Sequence, residues 1–462
     1  MEQTLSGNTQ AKTRRWLPLG ITVGAGLVLW VLGLGLDQWP WGTILNWPRV
    51  VPLVVLVGGS ALLLVCLWVQ SRRSRSQTWL IATILVTLLF TGSAAWVGRK
   101  VVRWRAGIWL GDFLTLPRTS FDPRKPLDIC FCVVDHFEPA GIWQTRESFP
   151  VQRRMERLHR WRQLYSQAIE GHVDSDGQSP RQTWFIPVGH SVPEVMTEVA
   201  RWARKGWGEM EYHLHHPKDF GADEVRSQIL LDLHNLRRVG ACADGYAFVH
   251  GEYALAAGDP AFCRVTKELD VLQETRCYAD FTFPNIYTPA QPSQVNSIFY
   301  ARTTGDPKPH DRGSPARVGH HSSGLLLIQG GMWAGFTIQV FDDSNLSTEQ
   351  PPDAGRINHW LAANLHVRGR PNWVFIILHT HSATEYAQDM LYLGAMQETW
   401  SALEARFKTP QKRLHYMTCR EVYNVVKAAE AGQDGNPNNF RDYVIPPPPN
   451  CRPVGVDPHS RD

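Results

Sequence analysis

LDICFCVVDHFEP, residues 127–139, joins an apolar run directly to a group of polar side chains. The run ICFCVV is apolar at consecutive positions, as expected for a strand that is buried on both faces of a parallel sheet. Asp135, His136 and Glu138 follow at its carboxyl end, which is where α/β folds place their catalytic groups. This stretch therefore predicts a buried parallel strand that leads into a functional site.

The same kind of strand recurs along the chain and alternates with amphipathic helical patterns. The predicted strands span residues 127–134, 183–188, 210–214, 246–249, 277–281, 297–300, 325–329 and 374–378. The predicted helices span residues 151–167, 193–205, 222–238, 261–274, 357–367 and 397–407. Repeated alternation of strands and helices predicts an α/β fold, with a sheet that is either open or closed into a barrel.

Five of the predicted strands end in segments rich in histidine and acidic residues. These segments are VVDHFEP (133–139), EMEYHLHHP (209–217), FVHGE (248–252), ADFTFP (279–284) and ILHTHS (377–382). The candidate site residues in these segments are Asp135, His136, Glu138, His213, His215, His216, His250, Glu252, Asp280, His379 and His381. A single histidine at a strand end is more often a structural group than a ligand. A dense set at the catalytic edge favours a metal site, and these donors suit zinc, iron, nickel, cobalt or manganese.

Charge is divided unevenly along the chain. The first 110 residues hold 11 basic and two acidic residues, whereas the remainder has a net charge of −5 and all 18 histidines. Three uncharged stretches are long enough to cross a bilayer and have tryptophans near their ends, at residues 16–36, 50–71 and 76–98. We therefore expect a membrane anchor of three transmembrane helices over residues 1–110, a large domain over 111–433 and a Pro-rich tail over 434–462.

Basic residues beside the predicted spans indicate their orientation. The basic residues at 12–15 and 72–75 favour a cytoplasmic location for the N-terminus and the second loop. Three crossings then place the large domain outside the cytoplasm. The basic residues at 99–105 favour the opposite arrangement, because they follow the third span directly. We expect a multi-pass protein of the inner (cytoplasmic) membrane, in contact with the lipid bilayer, whose large domain is extracytoplasmic. That domain is acidic and lacks a stripe of Lys and Arg, which argues against nucleic-acid binding. The sequence does not indicate the oligomeric state.

Several segments of the large domain carry a family resemblance. FVHGEYAL (248–255), CYADFTFPN (277–285), QVNSIFYA (294–301) and FIILHTHSA (375–383), together with the strand-end residues, resemble a divergent polysaccharide deacetylase of the NodB-homology class, carbohydrate esterase family four. The similarity spans roughly residues 128–384 and is closest to a membrane-anchored bacterial subgroup often found with exopolysaccharide genes. The resemblance implies a distorted (β/α) barrel and a divalent metal ion, with zinc the first choice. It also implies hydrolysis of N- or O-acetyl groups on a polysaccharide substrate.

The family motifs match this sequence unevenly. Asp135 matches the first aspartate of the family motif, but His136 stands where the second is expected. His213 matches the first metal-binding histidine, and His215 or His216 must replace its partner because residue 217 is proline. The resemblance implies that Asp135 and His379 are catalytic and that Asp135, His213 and His215 or His216 bind the metal. The residues themselves make Glu138 a further catalytic candidate and His136 a further candidate ligand. They also make four residues candidates for substrate binding: His250, Glu252, Asp280 and His381.

The residues leave three functions open. The first is a metal-dependent hydrolase that removes acetyl groups from a cell-surface or exported polysaccharide. The second is another metallohydrolase of the amidohydrolase or phosphoesterase type, because two His-x-His pairs end predicted strands. The third is a non-catalytic, membrane-tethered glycan-binding or polysaccharide-assembly protein, because the site departs from the family motifs at several positions.

Overall fold

A computed structural model of the chain describes residues 102–116, 121–141, 148–242, 245–302, 307–334 and 341–451, and isolated positions between 65 and 99. The chain divides into two compact units, one of residues Met1–Arg118 and Ala334–Val340, the other of Thr119–Trp333 and Phe341–Asp462. The first predicted membrane span lies wholly outside the described residues, and the other two are represented only by isolated helical positions. Within the part of the chain described here, no helix is both long and apolar enough to cross a membrane.

The described helices are mostly marked by amphipathic sequence patterns. They are α1 (Ala106–Thr115), α2 (Val151–Ala168), α3 (Pro193–Arg204), α4 (Ala222–Arg238), α5 (Glu268–Glu274), α6 (Arg356–Ala363), α7 (Glu385–Tyr392), α8 (Ala395–Phe407) and α9 (Cys419–Glu430). Helix α9 begins with a capping box in which the Glu421 carboxylate accepts the Thr418 backbone N–H at 2.9 Å. Such reciprocal bonds satisfy N–H groups that a helix leaves without partners in its first turn.

The strands are mostly short and buried. They are β1 (Leu127–His136), β2 (Gln182–Pro187), β3 (Gly208–Leu214), β4 (Tyr246–His250), β5 (Cys277–Asp280), β6 (Ile298–Ala301), β7 (Gly313–Pro315), β8 (Leu325–Ile328), β9 (Trp333–Ala334), β10 (Phe341–Asp342), β11 (Trp373–Thr380), β12 (Lys408–Thr409) and β13 (Lys412–Met417). All eight strands that the sequence predicts are present, each within a few residues of its predicted bounds.

A parallel-rich sheet forms the centre of the larger unit. Strand β1 pairs in parallel with β11, β13 and β2, and the parallel order continues through β3, β4 and β5 to β8. Antiparallel pairs occur only at its margins among the described strands, between β8, β6 and β7 and between β13 and β12. The predicted α/β fold is confirmed. Because neighbouring strands run in the same direction, the carboxyl ends of β1, β3, β4 and β11 lie on one edge of the sheet.

Two apolar layers cover the faces of the sheet. On one face, Cys130, Cys132 and Val134 of β1 belong to a buried cluster that includes Phe375 and Ile377 of β11. On the other face, large aromatic side chains from α2, α3 and β2 stack on one another. The rings of Trp161 and Trp202 lie 4.5 Å apart at 15°. Residues that alternate along β1 therefore project into different surroundings.

The helix predicted over 261–274 is shorter in the structure, and part of the Pro-rich tail packs against α9. Of the helix predicted over 261–274, only α5 forms, because Asp259 instead closes a local turn by accepting the backbone N–H of Ala261 at 3.1 Å. Residues 436–451 follow α9 and pack back onto it, since the Asn424 side chain donates to the carbonyl oxygen of Ile445 at 2.8 Å and Asn450 is buried.

Candidate metal centre

Three side chains converge at the carboxyl edge of the sheet. Oε1 of Glu138 lies 2.9 Å from Nε2 of His213 and 2.8 Å from Nε2 of His215. The two Nε2 atoms are 2.9 Å apart. We call these residues the three-ligand cluster, because each directs one potential metal-binding atom at the same point.

The sheet brings this cluster together from two strands. Glu138 follows the end of β1, whereas His213 lies on β3 and His215 follows it. Residues two apart on an extended chain share a face, so both imidazoles project in the same direction. Strand β2 lies between β1 and β3 and pairs in parallel with each. The cluster therefore depends on the parallel order of these three strands.

Hydrogen bonding sets the ionisation state of the cluster. His213 donates from Nδ1 to the carbonyl oxygen of Val249 at 2.9 Å, which fixes the ring with Nε2 directed at Glu138. Burial lowers the pKa of His215 to about 3, so this ring is neutral. Burial alone would raise the pKa of Glu138, but hydrogen bonds to His213 and His215 lower it below its ordinary value. An ionised carboxylate and imidazoles in their neutral form are the groups that bind a divalent metal ion.

Four further aromatic rings lie near the cluster, grouped around that of His136. The ring centre of His136 is 5.1 Å from that of His213, 4.7 Å from that of His381 and 6.0 Å from that of His379. His379 is fully buried and neither of its ring nitrogens makes a well-formed hydrogen bond with a described residue. Burial lowers its pKa to about 3. Tyr253 completes the group, with its ring centre 5.1 Å from that of His136.

Asp135 is turned away from the three-ligand cluster. Its Oδ1 accepts the backbone N–H of Ser382 at 2.8 Å, and its Oδ2 accepts the Ser382 hydroxyl. Trp161 donates to the same hydroxyl oxygen at 2.7 Å. Burial raises the pKa of Asp135 to about 7. Asp135 and His136 are consecutive strand residues and point to opposite faces of the sheet, so only His136 is directed towards the cluster.

Two of the remaining candidates belong to a separate cluster. His216 and His250 lie together with Cys263 and Glu268, and each of the four directs one potential ligand atom to within 4.8 Å of the others. We call this group the four-ligand cluster. Cys263 was not a candidate from the sequence, nor was Glu268, because both lie outside the strand ends and reach the cluster through the fold.

Glu252 and Asp280 occupy different surroundings. Glu252 is exposed and has a left-handed backbone conformation, with φ at 54°. Asp280 is buried and accepts the Thr282 hydroxyl at 2.7 Å, while Thr282 Oγ1 accepts the backbone N–H of His250 at 2.9 Å. Asp280 thus supports the end of β4 through Thr282. Ser382 was not a candidate from the sequence either, although its position directly after the ILHTH strand end could have indicated a site residue.

No protein-family model matches the chain, and no curated protein matches its sequence. Three protein ligands with neighbouring polar side chains are typical of catalytic metal sites, which keep coordination positions for water and substrate. Four protein ligands are typical of structural sites, which are closed to both.

Proposed function

We propose that this protein is a membrane-anchored, metal-dependent hydrolase that removes acetyl groups from a cell-surface or exported polysaccharide. The observation that carries the proposal is the convergence of Glu138, His213 and His215 on one point. The ring of His136 neighbours that of His213, and the buried ring of His379 lies with its centre 6.0 Å from that of His136. This donor set suits a divalent ion, and zinc is the first choice for two imidazoles and a carboxylate.

Glu138, His213 and His215 would hold the ion. Bound there, zinc would polarise an acetyl carbonyl and lower the pKa of a water molecule. Val249 has a supporting role, because its carbonyl oxygen fixes the ring of His213 through Nδ1. Asp135 does not act as the base in this proposal, because its carboxylate is engaged by Ser382.

Proton transfer falls to the histidines beside the cluster. A neutral imidazole carries one N–H and one free lone pair, so it can accept a proton at one nitrogen and donate from the other. His379 satisfies this requirement, since burial keeps it neutral and its ring makes only a weak contact with the backbone of Phe283. His379 would accept a proton when water attacks and return one to the leaving amine or alkoxide. His136, with Nε2 likewise unpaired, lies between His379 and the cluster.

The proposal includes the architecture around the site. The parallel strands of the larger unit would form a distorted (β/α) barrel, and residues 16–98 would form three membrane helices that hold the barrel at the outer surface of the inner membrane. The uncharged stretches support this anchor. The isolated helical positions within them agree, since Val65, Trp68, Ile81, Ile84 and Leu88 are apolar and exposed.

A second candidate is a metallohydrolase that acts on a cyclic amide or a phosphate ester. It is favoured by His379 and His381, a second His-x-His pair directed at His136 from a different strand. Such pairs could extend the cluster towards a second ion, as two-metal hydrolases require.

Acetate release tests these alternatives on the full-length protein in detergent with zinc present. Acetylated chito-oligosaccharide and acetylated exopolysaccharide serve as substrates, and His213→Ala is compared with His321→Ala, which alters an exposed loop histidine. Acetate release that His213→Ala abolishes and His321→Ala preserves is the expected result. Bound zinc with hydrolysis of a phosphate ester or a cyclic amide, but without acetate release, would favour the second candidate. A wild-type protein without stoichiometric zinc overturns both, and glycan binding alone would then indicate a non-catalytic protein.

A further inference from the structure

We propose that the four-ligand cluster is a second metal site, closed to solvent, which holds a structural zinc ion. Its ligands are Nε2 of His216, Nε2 of His250, Sγ of Cys263 and Oε1 of Glu268. The side chains of His216 and Glu268 are fully buried and that of His250 is 3% exposed. Cys263 is also fully buried. The four donors therefore have no access to water that could satisfy them.

The spacing of the donor atoms fits a tetrahedral ion. The Nε2 atoms of His216 and His250 are 3.3 Å apart, and Oε1 of Glu268 lies 3.2 Å from His250 Nε2 and 3.7 Å from His216 Nε2. Ligands about 2.0–2.1 Å from a tetrahedral zinc ion are about 3.3 Å from one another. These three separations match three edges of one coordination tetrahedron, and Sγ of Cys263, the fourth ligand, lies 3.8 Å from the other oxygen of Glu268, Oε2.

The tautomers direct lone pairs at the centre of the cluster. His216 donates from Nδ1 to the carbonyl oxygen of Pro217 at 2.8 Å, and His250 donates from Nδ1 to that of Gly251 at 2.5 Å. In neutral rings, both Nε2 lone pairs then face each other, which is unfavourable without a cation between them. The Nδ1 bonds to carbonyl oxygens are those that orient metal-binding histidines in proteins.

The Glu268 carboxylate is buried and directs one oxygen at the centre of the four-ligand cluster. Its Oε2 accepts the backbone N–H of Ala256 at 2.7 Å, which fixes the carboxylate. Its Oε1 is buried and lies 3.2 Å from Nε2 of His250 and 3.7 Å from Nε2 of His216, outside the geometry of a good hydrogen bond. A buried carboxylate oxygen needs positive charge close to it, which a metal ion bound among the four groups would supply. A thiol together with two imidazoles selects zinc over calcium or magnesium.

The site would fasten a strained loop to the sheet. His216 and His250 follow or end β3 and β4, whereas Cys263 and Glu268 lie beyond the loop 251–262. Glu252, Tyr253, Ala256 and Ala257 all have left-handed backbone conformations, with φ between 48° and 56°. Such residues are disfavoured and persist only where the surroundings hold them. The loop carries Tyr253 to His136, so the second ion would position a residue beside the three-ligand cluster.

Cobalt substitution of the full-length protein tests the site without depending on activity. A thiolate bound to cobalt gives a near-ultraviolet charge-transfer band, and among the described ligand groups only the four-ligand cluster contains a cysteine. We expect two equivalents of metal in the wild-type protein and a thiolate–cobalt band. His213→Ala should remove one equivalent and keep the band, whereas Cys263→Ala should remove the band. Cys277→Ala, which alters another buried cysteine, is the matched control and should keep it.

Each outcome decides the proposal. The absence of a band in the wild-type protein overturns it, and this measurement requires no variant to fold. A band that survives in Cys263→Ala also overturns it, since the thiolate ligand would then be another cysteine. Loss of acetate release with two equivalents of metal retained would count against the proposed function but not against this site. The wild-type protein could instead hold one equivalent of metal, which His213→Ala removes, and show no thiolate–cobalt band. This result would overturn the proposal and show that hydrogen bonds alone connect the four groups.

Discussion

The Nε2 atoms of His213 and His215 lie 2.9 Å apart, and a single oxygen of Glu138 lies 2.9 and 2.8 Å from them. His213 uses Nδ1 to bond the carbonyl oxygen of Val249, so its Nε2 carries the lone pair in the neutral ring. Three electron-rich atoms at these separations are stabilised by a proton or a metal ion placed among them. The carboxylate directed at the two imidazoles is that of Glu138, whereas Asp135, the residue that the family resemblance favours, accepts from Ser382.

Glu138→Gln should weaken zinc binding at the three-ligand cluster by more than about tenfold, because the amide removes a negatively charged ligand and nearly preserves its shape. Asp135→Asn should change the affinity far less, because Asp135 bonds Ser382 instead. Competitive titration against a chelator measures both dissociation constants. Equal losses in the two variants would show that Asp135 is a ligand, as the resemblance implies.

Gly251→Ala should displace the ring of His215. A Cβ atom at position 251 would lie 2.3 Å from Nδ1 of His215, much closer than a van der Waals contact. The imidazole can rotate away, so we expect little loss of stability but a large loss of zinc from the three-ligand cluster and of activity. Gly111→Ala is the control, since no atom lies within 4 Å of a Cβ there. The zinc content of both variants is measured, and equal contents would contradict this prediction.

Glu209→Ala should destabilise the larger unit by up to about 3–5 kcal/mol, because it removes the buried carboxylate partner of Arg420 and leaves the guanidinium hydrogen-bonded to the largely exposed Asp442 carboxylate, 2.7 Å from Nη1. Nε and Nη2 of Arg420 donate to the Glu209 carboxylate at 2.8–3.1 Å, and Nη1 donates to the carbonyl oxygen of Ile445 at 2.7 Å. Denaturant unfolding measures the loss. Asp223→Ala breaks an exposed ion pair with Arg226 and should cost less than about 1 kcal/mol. A similar small cost for Glu209→Ala would show that the buried pair contributes little.

His310 should make the protein less stable in acid. Burial lowers its pKa to about 4, while in the unfolded chain the ordinary value is 6.5. Between these two values the unfolded state binds more protons, so the free energy of unfolding falls as the pH drops, by up to about 1.4 kcal/mol per pH unit from this group. His310→Gln can keep the hydrogen bond to Ala290, which His310 makes from Nε2 at 2.8 Å, without the charge. Unfolding followed from pH 4 to 6.5 should show a shallower slope in the variant, and parallel curves would refute the assignment.

Much of the fold could be predicted from the sequence because it depends on local periodicity. Apolar runs such as residues 129–134 specify buried strands wherever they lie, and their alternation with helical patterns specifies an α/β sheet. Helices α1, α7 and α9, the short strands β7, β9, β10 and β12, and strand β13 were not predicted. The alternation that identified the longer elements of the large domain did not extend to the segments on either side of α8.

The sequence by itself determined that histidines and acidic residues gather at strand ends, since parallel strands bring those ends to one edge. It did not determine which residues share a site. His215 and His216 are neighbours in sequence yet join different clusters, because consecutive residues of an extended chain point in opposite directions. Asp135 and His136 separate for the same reason.

Only the tertiary structure decided the partners of these residues. Cys263 and Glu268 reach His216 and His250 because the loop after β4 folds back across the ends of the sheet, a contact with no periodicity in the sequence. Ser382 reaches Asp135 because β1 and β11 pair in register, with Asp135 opposite Thr380. Side-chain chemistry is written in the sequence, whereas coordination needs several donor atoms within a few ångströms of one point, and only the packed fold sets those distances.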